Sequence, residues 1–183
     1  MAITPYNPTA DPGTFTVPDS ALKRGSRIIG VAAIKVGFDI ETLTTDPTTW
    51  DLGIGEGDVI IINPVTGNWT EASATEEAGI GRINTEFVND EYDIPAKHRG
   101  PDANLSLWNT LKLSNDFGGL FVFEDNKAYV PLNDDKTIIP IDWRPRISSE
   151  EELQKHRMMM FNAKWKSRDF PYVIDVPGSL FPQ

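Results

Sequence analysis

Between Gly81 and Asn115 the sequence alternates more regularly than anywhere else in the chain, and this limits the architectures open to it. Over Arg82 to Asp90, one parity holds Ile83, Thr85, Phe87 and Asn89, and the other holds Arg82, Asn84, Glu86, Val88 and Asp90. A period of two with one mixed apolar face and one polar face predicts a half-buried strand. Over Asn104 to Asn115, Leu105, Leu107, Leu111 and Leu113 share a parity broken only by Asn109, whereas a helical stripe collects Leu105, Trp108 and Lys112. Alternation wins that count, so a second strand is expected. The segment Tyr92 to Pro101 between them, with Pro95, Lys97, His98 and Arg99, is too long for a tight turn and is expected to project as a charged loop.

Short β-branched runs closed by turn residues recur on both sides of this ribbon. Ile28 to Ile40 reads as a strand with one buried face, carried by Ile34, Val36, Phe38 and Ile40. Glu41 to Trp50 reads as a loop that returns Trp50 to the core. The glycine-rich run Leu52 to Asp58 precedes the apolar Val59 to Ile62, where a phosphate cradle would follow a strand and open a helix, so a backbone bend is expected. Asp58 to Ala72 reads as a hairpin turning at Asn63 to Asn68, and Leu120 to Pro131 as another turning at Glu124 to Lys127. A third turn is expected at Asn133 to Lys136, leading into a strand over Thr137 to Trp143.

One helix is predicted, Ser148 to Arg157, where Ser149 with Glu152 or Ser148 with Glu151 forms a capping box and acids lead to bases. Met158 to Lys166 alternates again, with Met159, Phe161, Ala163 and Trp165 on one parity, and Tyr172 to Val176 makes a last strand. A tally of about nine strands and one short helix predicts a mainly β fold, a β-sandwich or barrel, with residues 27–183 as a single domain. Residues 1–26 read as an extended N-terminal arm, because Pro5, Pro8, Pro12 and Pro18 exclude a helix or a central strand. The arm is expected to lie against a neighbouring subunit, joined to the body by a basic hinge of Lys23, Arg24 and Arg27.

The 183 residues contain no cysteine, which excludes a disulfide framework and thiolate chemistry. Apolar content of 39% and charged content of 24% are those of an ordinary globular chain. No apolar run approaches the length of a membrane span, and Met1 to Pro18 has neither the basic start nor the apolar stretch of a signal peptide, so no membrane anchor is expected. The net charge of −10 is uneven: residues 1–142 carry 22 acidic and 10 basic side chains, residues 143–183 carry 5 and 7. That balance argues against binding DNA by phosphate neutralisation and suits either a body that repels a passing polyanion or acidic and basic surfaces that meet between copies.

Chemistry finds few candidates. His156 sits four residues after Glu152, where an ion pair explains it, and His98 lies between two cations and is expected to be exposed. Asn133-Asp134-Asp135 lacks the spaced donors of a calcium loop and reads as a turn. Trp50, Trp69, Trp108, Trp143 and Trp165 are expected to anchor the core or an interface before a carbohydrate platform. No catalytic group, metal or cofactor is predicted.

Taken together, the proline-rich arm, the early β domain, the charged ribbon, the capped helix and the closing strand pair resemble the tail tube proteins of tailed phages, a family that shares its fold with the type VI secretion tube protein. The stretches that carry the resemblance are Trp69 to Asp93, with the Thr75-Glu76-Glu77-Ala78-Gly79 lead-in, and Lys97 to Gly119, ending at Gly118-Gly119. It implies a virion protein made in the host cytoplasm that forms rings, commonly hexameric, whose inner wall is a continuous barrel through which DNA passes without sequence-specific binding. Its partners would be copies of itself in rings and stacked rings, and other virion proteins. Glu86, Asp90 and Glu91 would face the lumen. Pro95, Lys97, His98 and Arg99, with Pro5, Pro8, Pro12, Lys23, Arg24 and Arg27, would make subunit or ring contacts. Arg82, Lys97 and Arg99 depart from a uniformly negative lumen. A head decoration or head-tail connector protein, or a carbohydrate-binding β-sandwich, are the alternatives.

Overall fold

β-Branched residues dominate the first strand, β1 (Arg27–Lys35), which lies inside one large antiparallel sheet. The computed structural model describes residues 27–78, 85–99, 104–148 and 158–182. After β1 come a 3-10 turn (Ile40–Thr42), α1 (Thr48–Glu56), β2 (Val59–Ile62), β3 (Val65–Asn68), β4 (Ser73–Ala78) and β5 (Thr85–Arg99). Then follow α2 (Leu105–Leu113), β6 (Phe117–Phe123), β7 (Lys127–Val130), β8 (Asp142–Ser148), β9 (Met158–Ser167) and β10 (Tyr172–Asp175). The chain is mainly β, as expected. The strand order is β10-β7-β6-β1-β3-β5-β9-β8, with β2 also paired to β1 and β4 to β5.

Both faces of β1 are buried, where one buried face was expected. A bulge lies between Ile28 and Gly30 in the pairing with β6, and an extra residue there exchanges the faces of everything that follows. Ile28, Val31 and Ala33 therefore pack into one core cluster and Ile29, Ala32 and Ile34 into another. The first cluster joins β1 and β6 to β5, β8 and β9, so the sheet curls around it; Phe117 O accepts from Ile141 N at 2.9 Å and from Trp143 Nε1 at 3.3 Å, bringing β6 to the β8 end. The second lies on the opposite face, where Trp50 of α1 meets Phe181 edge-on with ring centroids 5.9 Å apart.

The Asp58 to Ala72 segment is not a hairpin. Both β2 and β3 run antiparallel to β1, Val59 opposite Ile34 and Asn68 opposite Arg27, as one interrupted strand. The interruption falls at Asn63-Pro64, where proline has no amide to donate. The glycine-rich run is the end of helix α1, closed by Gly57 at φ 78°, whose N–H donates to Gly53 O and Ile54 O. Trp50 reaches the core as expected, but from that helix and not from a loop. The β6/β7 hairpin, the turn at Asn133 to Lys136, the β9 alternation and the last strand are found where expected. Of the strand expected over Thr137 to Trp143, Ile138 makes only an isolated bridge to Leu132, and pairing with β9 begins at Asp142. The predicted helix lies outside the described residues except for Ser148, which ends β8.

Two corrections concern the central ribbon. Leu105 to Leu113 is a helix that buries Trp108 and Leu111, three residues apart, and leaves Leu105, Leu107 and Leu113 exposed. The expected loop from Tyr92 is strand through Arg99, so β5 is 15 residues long. Pro95 is tolerated inside it for a geometric reason. Along that edge of β5, pairing with β4 starts and stops between Thr85 and Glu91, and pairing with β3 resumes at Ala96. Residues two apart direct backbone groups to the same edge, and Asp93 O there accepts from Thr70 Oγ1 at 2.7 Å. The amide that Pro95 lacks would point into the gap between β4 and β3, where no ladder bond is lost.

Candidate functional site

Alternation in β5 separates two surfaces. Tyr92, Ile94, Ala96 and His98 are buried, while Glu91, Asp93, Pro95, Lys97 and Arg99 face away from the core. The partner strands repeat the pattern. In β9, Met159, Phe161, Ala163 and Trp165 are buried between outward Met158, Met160, Asn162, Lys164 and Lys166. In β8, Asp142, Arg144, Arg146 and Ser148 lie in register with that outward set.

Reading the rows across the three strands gives a charge gradient. One end is neutralised: Glu91 Oε2 lies 3.3 Å from Lys166 Nζ, and Asp93 Oδ2 lies 2.6 Å from Lys164 Nζ while its Oδ1 accepts from Asn162 Nδ2 at 2.6 Å. Partial burial pushes the Asp93 carboxyl up, but its hydrogen bonds from Asn162 and Lys164 outweigh that, and its pKa falls below the usual carboxylate value. The other end is cationic. Arg144 turns back onto Asp142, Arg146 Nη2 donates to Asn162 Oδ1 at 3.2 Å, and among the described residues Lys97 and Arg99 meet no carboxylate. Among the described side chains, the face carries six cations, Lys97, Arg99, Arg144, Arg146, Lys164 and Lys166, against three carboxylates, Glu91, Asp93 and Asp142.

Beside the cationic end lies a groove of about 420 Å³ floored by Gly67, Pro95, Ala96, Met160 and Phe161, with Arg27 and Lys97 in its walls. Gly67 is required there: a Cβ would stand 2.8 Å from Ala96 Cβ and 2.9 Å from Pro95 O. Arg27 is also tied within the chain, Nη1 to Glu124 Oε1 at 3.3 Å.

The residues expected to face a lumen are therefore divided. Asp90 and Glu91 are adjacent in β5 and point to opposite faces. Asp90 stands on the core side beside Trp69, Tyr92 and Tyr129, where burial first and the Asp90 charge second push the Tyr92 phenol up. Glu91 is on the outward face and paired, and Glu86 is placed only as a backbone position opposite Glu77. Of the contact candidates, Pro95, Lys97 and Arg99 are exposed, on a strand and not on a loop. His98 is corrected: it is 6% exposed, its Nδ1 lies 3.0 Å from Pro64 O and its ring stands 6.0 Å from Trp108. Pro5, Pro8, Pro12, Lys23 and Arg24 lie outside the described residues. Sequence reasoning missed Arg144, Arg146, Lys164 and Lys166, although their alternation with Trp143, Phe161, Ala163 and Trp165 was a usable signal.

Elsewhere the polar clusters are small. A cavity of about 60 Å³ beside α2 is lined by His98, Asn63 and Trp108. Asp134 hydrogen-bonds Asp169 and raises its pKa at the exposed turn after β9. Among the described residues no three His, Asp or Glu side chains are placed to hold a metal ion. Four of the five tryptophans are buried in the core and Trp69 packs against it, so they form no exposed platform. No helix among the described residues is long and apolar enough to cross a membrane. Comparison of the chain with protein-family models, curated proteins and solved structures finds no match.

Proposed function

We propose that the chain is a virion structural protein, the subunit of a stacked-ring tail tube that forms the channel for genome delivery. The observation that carries this reading is the four-stranded antiparallel run β4-β5-β9-β8, whose two outer strands have no further partner among the described residues. Unpaired edges of this kind invite strand addition, and closing them between copies removes the hazard. Strand direction suits such closure, because β4 of one copy beside β8 of the next would continue the antiparallel alternation. The two edges are also staggered: β4 lies along Thr85 to Glu91, and β8 lies across β9 from Asp93 to Arg99. A staggered join tilts the strands, which barrel closure requires.

In such a ring the core face of the sheet stays inside each subunit and the outward face of β5, β9 and β8 lines the channel. The wall is then mixed in charge and cationic at one end. Negative-stain electron microscopy and native mass spectrometry of the purified full chain test the reading. Rings or polymerised tubes are expected; a protein that stays monomeric at high concentration overturns it.

A further inference from the structure

We infer that the outward face of β5, β9 and β8 is a binding surface for a phosphodiester polyanion, held without base recognition by Lys97, Arg99, Arg144 and Arg146. Composition argues the other way, since the chain is acidic and its cations are scattered in sequence. Tertiary structure gathers them. Lys97 and Arg99 are two apart on β5, Arg144 and Arg146 two apart on β8, and Met160 of β9 joins Lys97 to Arg146 in one cross-strand row. The same-face repeat along a strand is about 6.7 Å and the strand spacing about 4.8 Å, so the four groups form a compact array suited to a repeating charge.

A dense acidic segment lies elsewhere. From Val36 to Asp58 there are six carboxylates and no cation, on the segment containing α1. That helix packs on the second core cluster, on the far side of β1, with the first cluster between β1 and the basic face. At roughly 10 Å per packed layer this separation exceeds a Debye length of about 8 Å at physiological salt, so the local cations decide what the face attracts. Among the described side chains no aromatic stands on the outward face, which leaves backbone phosphate contact and no base stacking there. The adjoining groove supplies Arg27 and a second approach to Lys97. The inference rests on the tube reading for the direction this face takes in an assembly, while binding itself is a property of the free subunit.

Fluorescence anisotropy of a labelled DNA duplex with the full chain, titrated across salt concentrations, tests it. Binding that weakens steeply with salt is expected. The triple variant Lys97→Glu, Arg99→Glu, Arg146→Glu is expected to lose about tenfold or more in affinity and to lower the salt slope by about 2 to 3. Lys136→Glu, on a remote turn, should bind as wild type. The milder pair Lys97→Gln and Arg99→Gln serves if the triple variant fails to fold, with a slope lowered by about 2. No binding at low salt, or binding that neither variant set changes, overturns the inference. So does a triple variant that keeps DNA affinity but no longer self-associates, which would make this face a contact for the acidic α1 segment of a second copy. Rings without DNA binding would sink this inference alone, and DNA binding by a permanent monomer would sink the tube reading alone.

Discussion

Gly118 and Gly55 show how a residue's worth depends on what surrounds it. A Cβ at Gly118 would stand 2.1 Å from Ile138 Cγ2 and 2.7 Å from Ile139 O, and backbone cannot swing aside. Gly118→Ala is expected to destabilise the protein by about 1–3 kcal/mol. Gly55, within α1, has nothing within 4 Å of the same position, so Gly55→Ala is expected to stabilise by about 0.5–1 kcal/mol. Urea denaturation reads both, and midpoints shifted in the same direction would contradict the packing described. The carboxyls at Asp93 and Asp169 carry opposite signs. Asp93 is held below its ordinary 3.8 despite burial, so the stability it gives is present above 3.8 and is lost as pH falls through its lower folded value. Asp169 is raised because its protonated carboxyl donates a hydrogen bond to the Asp134 carboxylate, and then because of the Asp134 charge, so it opposes folding as pH rises above 3.8. Thermal melts should show Asp93→Asn less stable than wild type and Asp169→Asn more stable at pH 7, with both differences shrinking as the pH is lowered past 3.8.

At the scale of elements, α2 is the sharpest test. A strand over Leu105 to Leu113 would bury the leucines of one parity; the helix buries Trp108 and Leu111 and leaves Leu113 84% exposed. Leu113→Glu is therefore expected to change stability by no more than about 0.5 kcal/mol, and Trp108→Ala to cost about 3–5 kcal/mol. A large loss at Leu113 would restore the strand. The sequence misled here because this nine-residue helix presents a narrow buried stripe, too few positions for a 3.6 period to outvote four leucines at even spacing. The same limit hid β5, where Pro95 and the run Lys97-His98-Arg99 looked like a loop. What made them strand was the gap between β4 and β3 on one side and continuous pairing with β9 on the other. By contrast β9 was legible, since its alternation of Met159, Phe161, Ala163 and Trp165 with polar neighbours records one face buried and one not.

At the scale of the whole molecule, sequence alone established a mainly β chain without cysteine chemistry, because composition and a period of two act locally and need no knowledge of neighbours. It also located the tryptophans that anchor the core. Sheet order, the two buried faces of β1 and the burial of His98 were decided by tertiary structure, since each depends on which distant strand or helix lies alongside. Charge followed the same division. Net charge is additive along the chain and was readable at once, but a charged surface is set by strand register, which placed Lys97, Arg99, Arg144 and Arg146 together although up to 49 positions separate them in sequence.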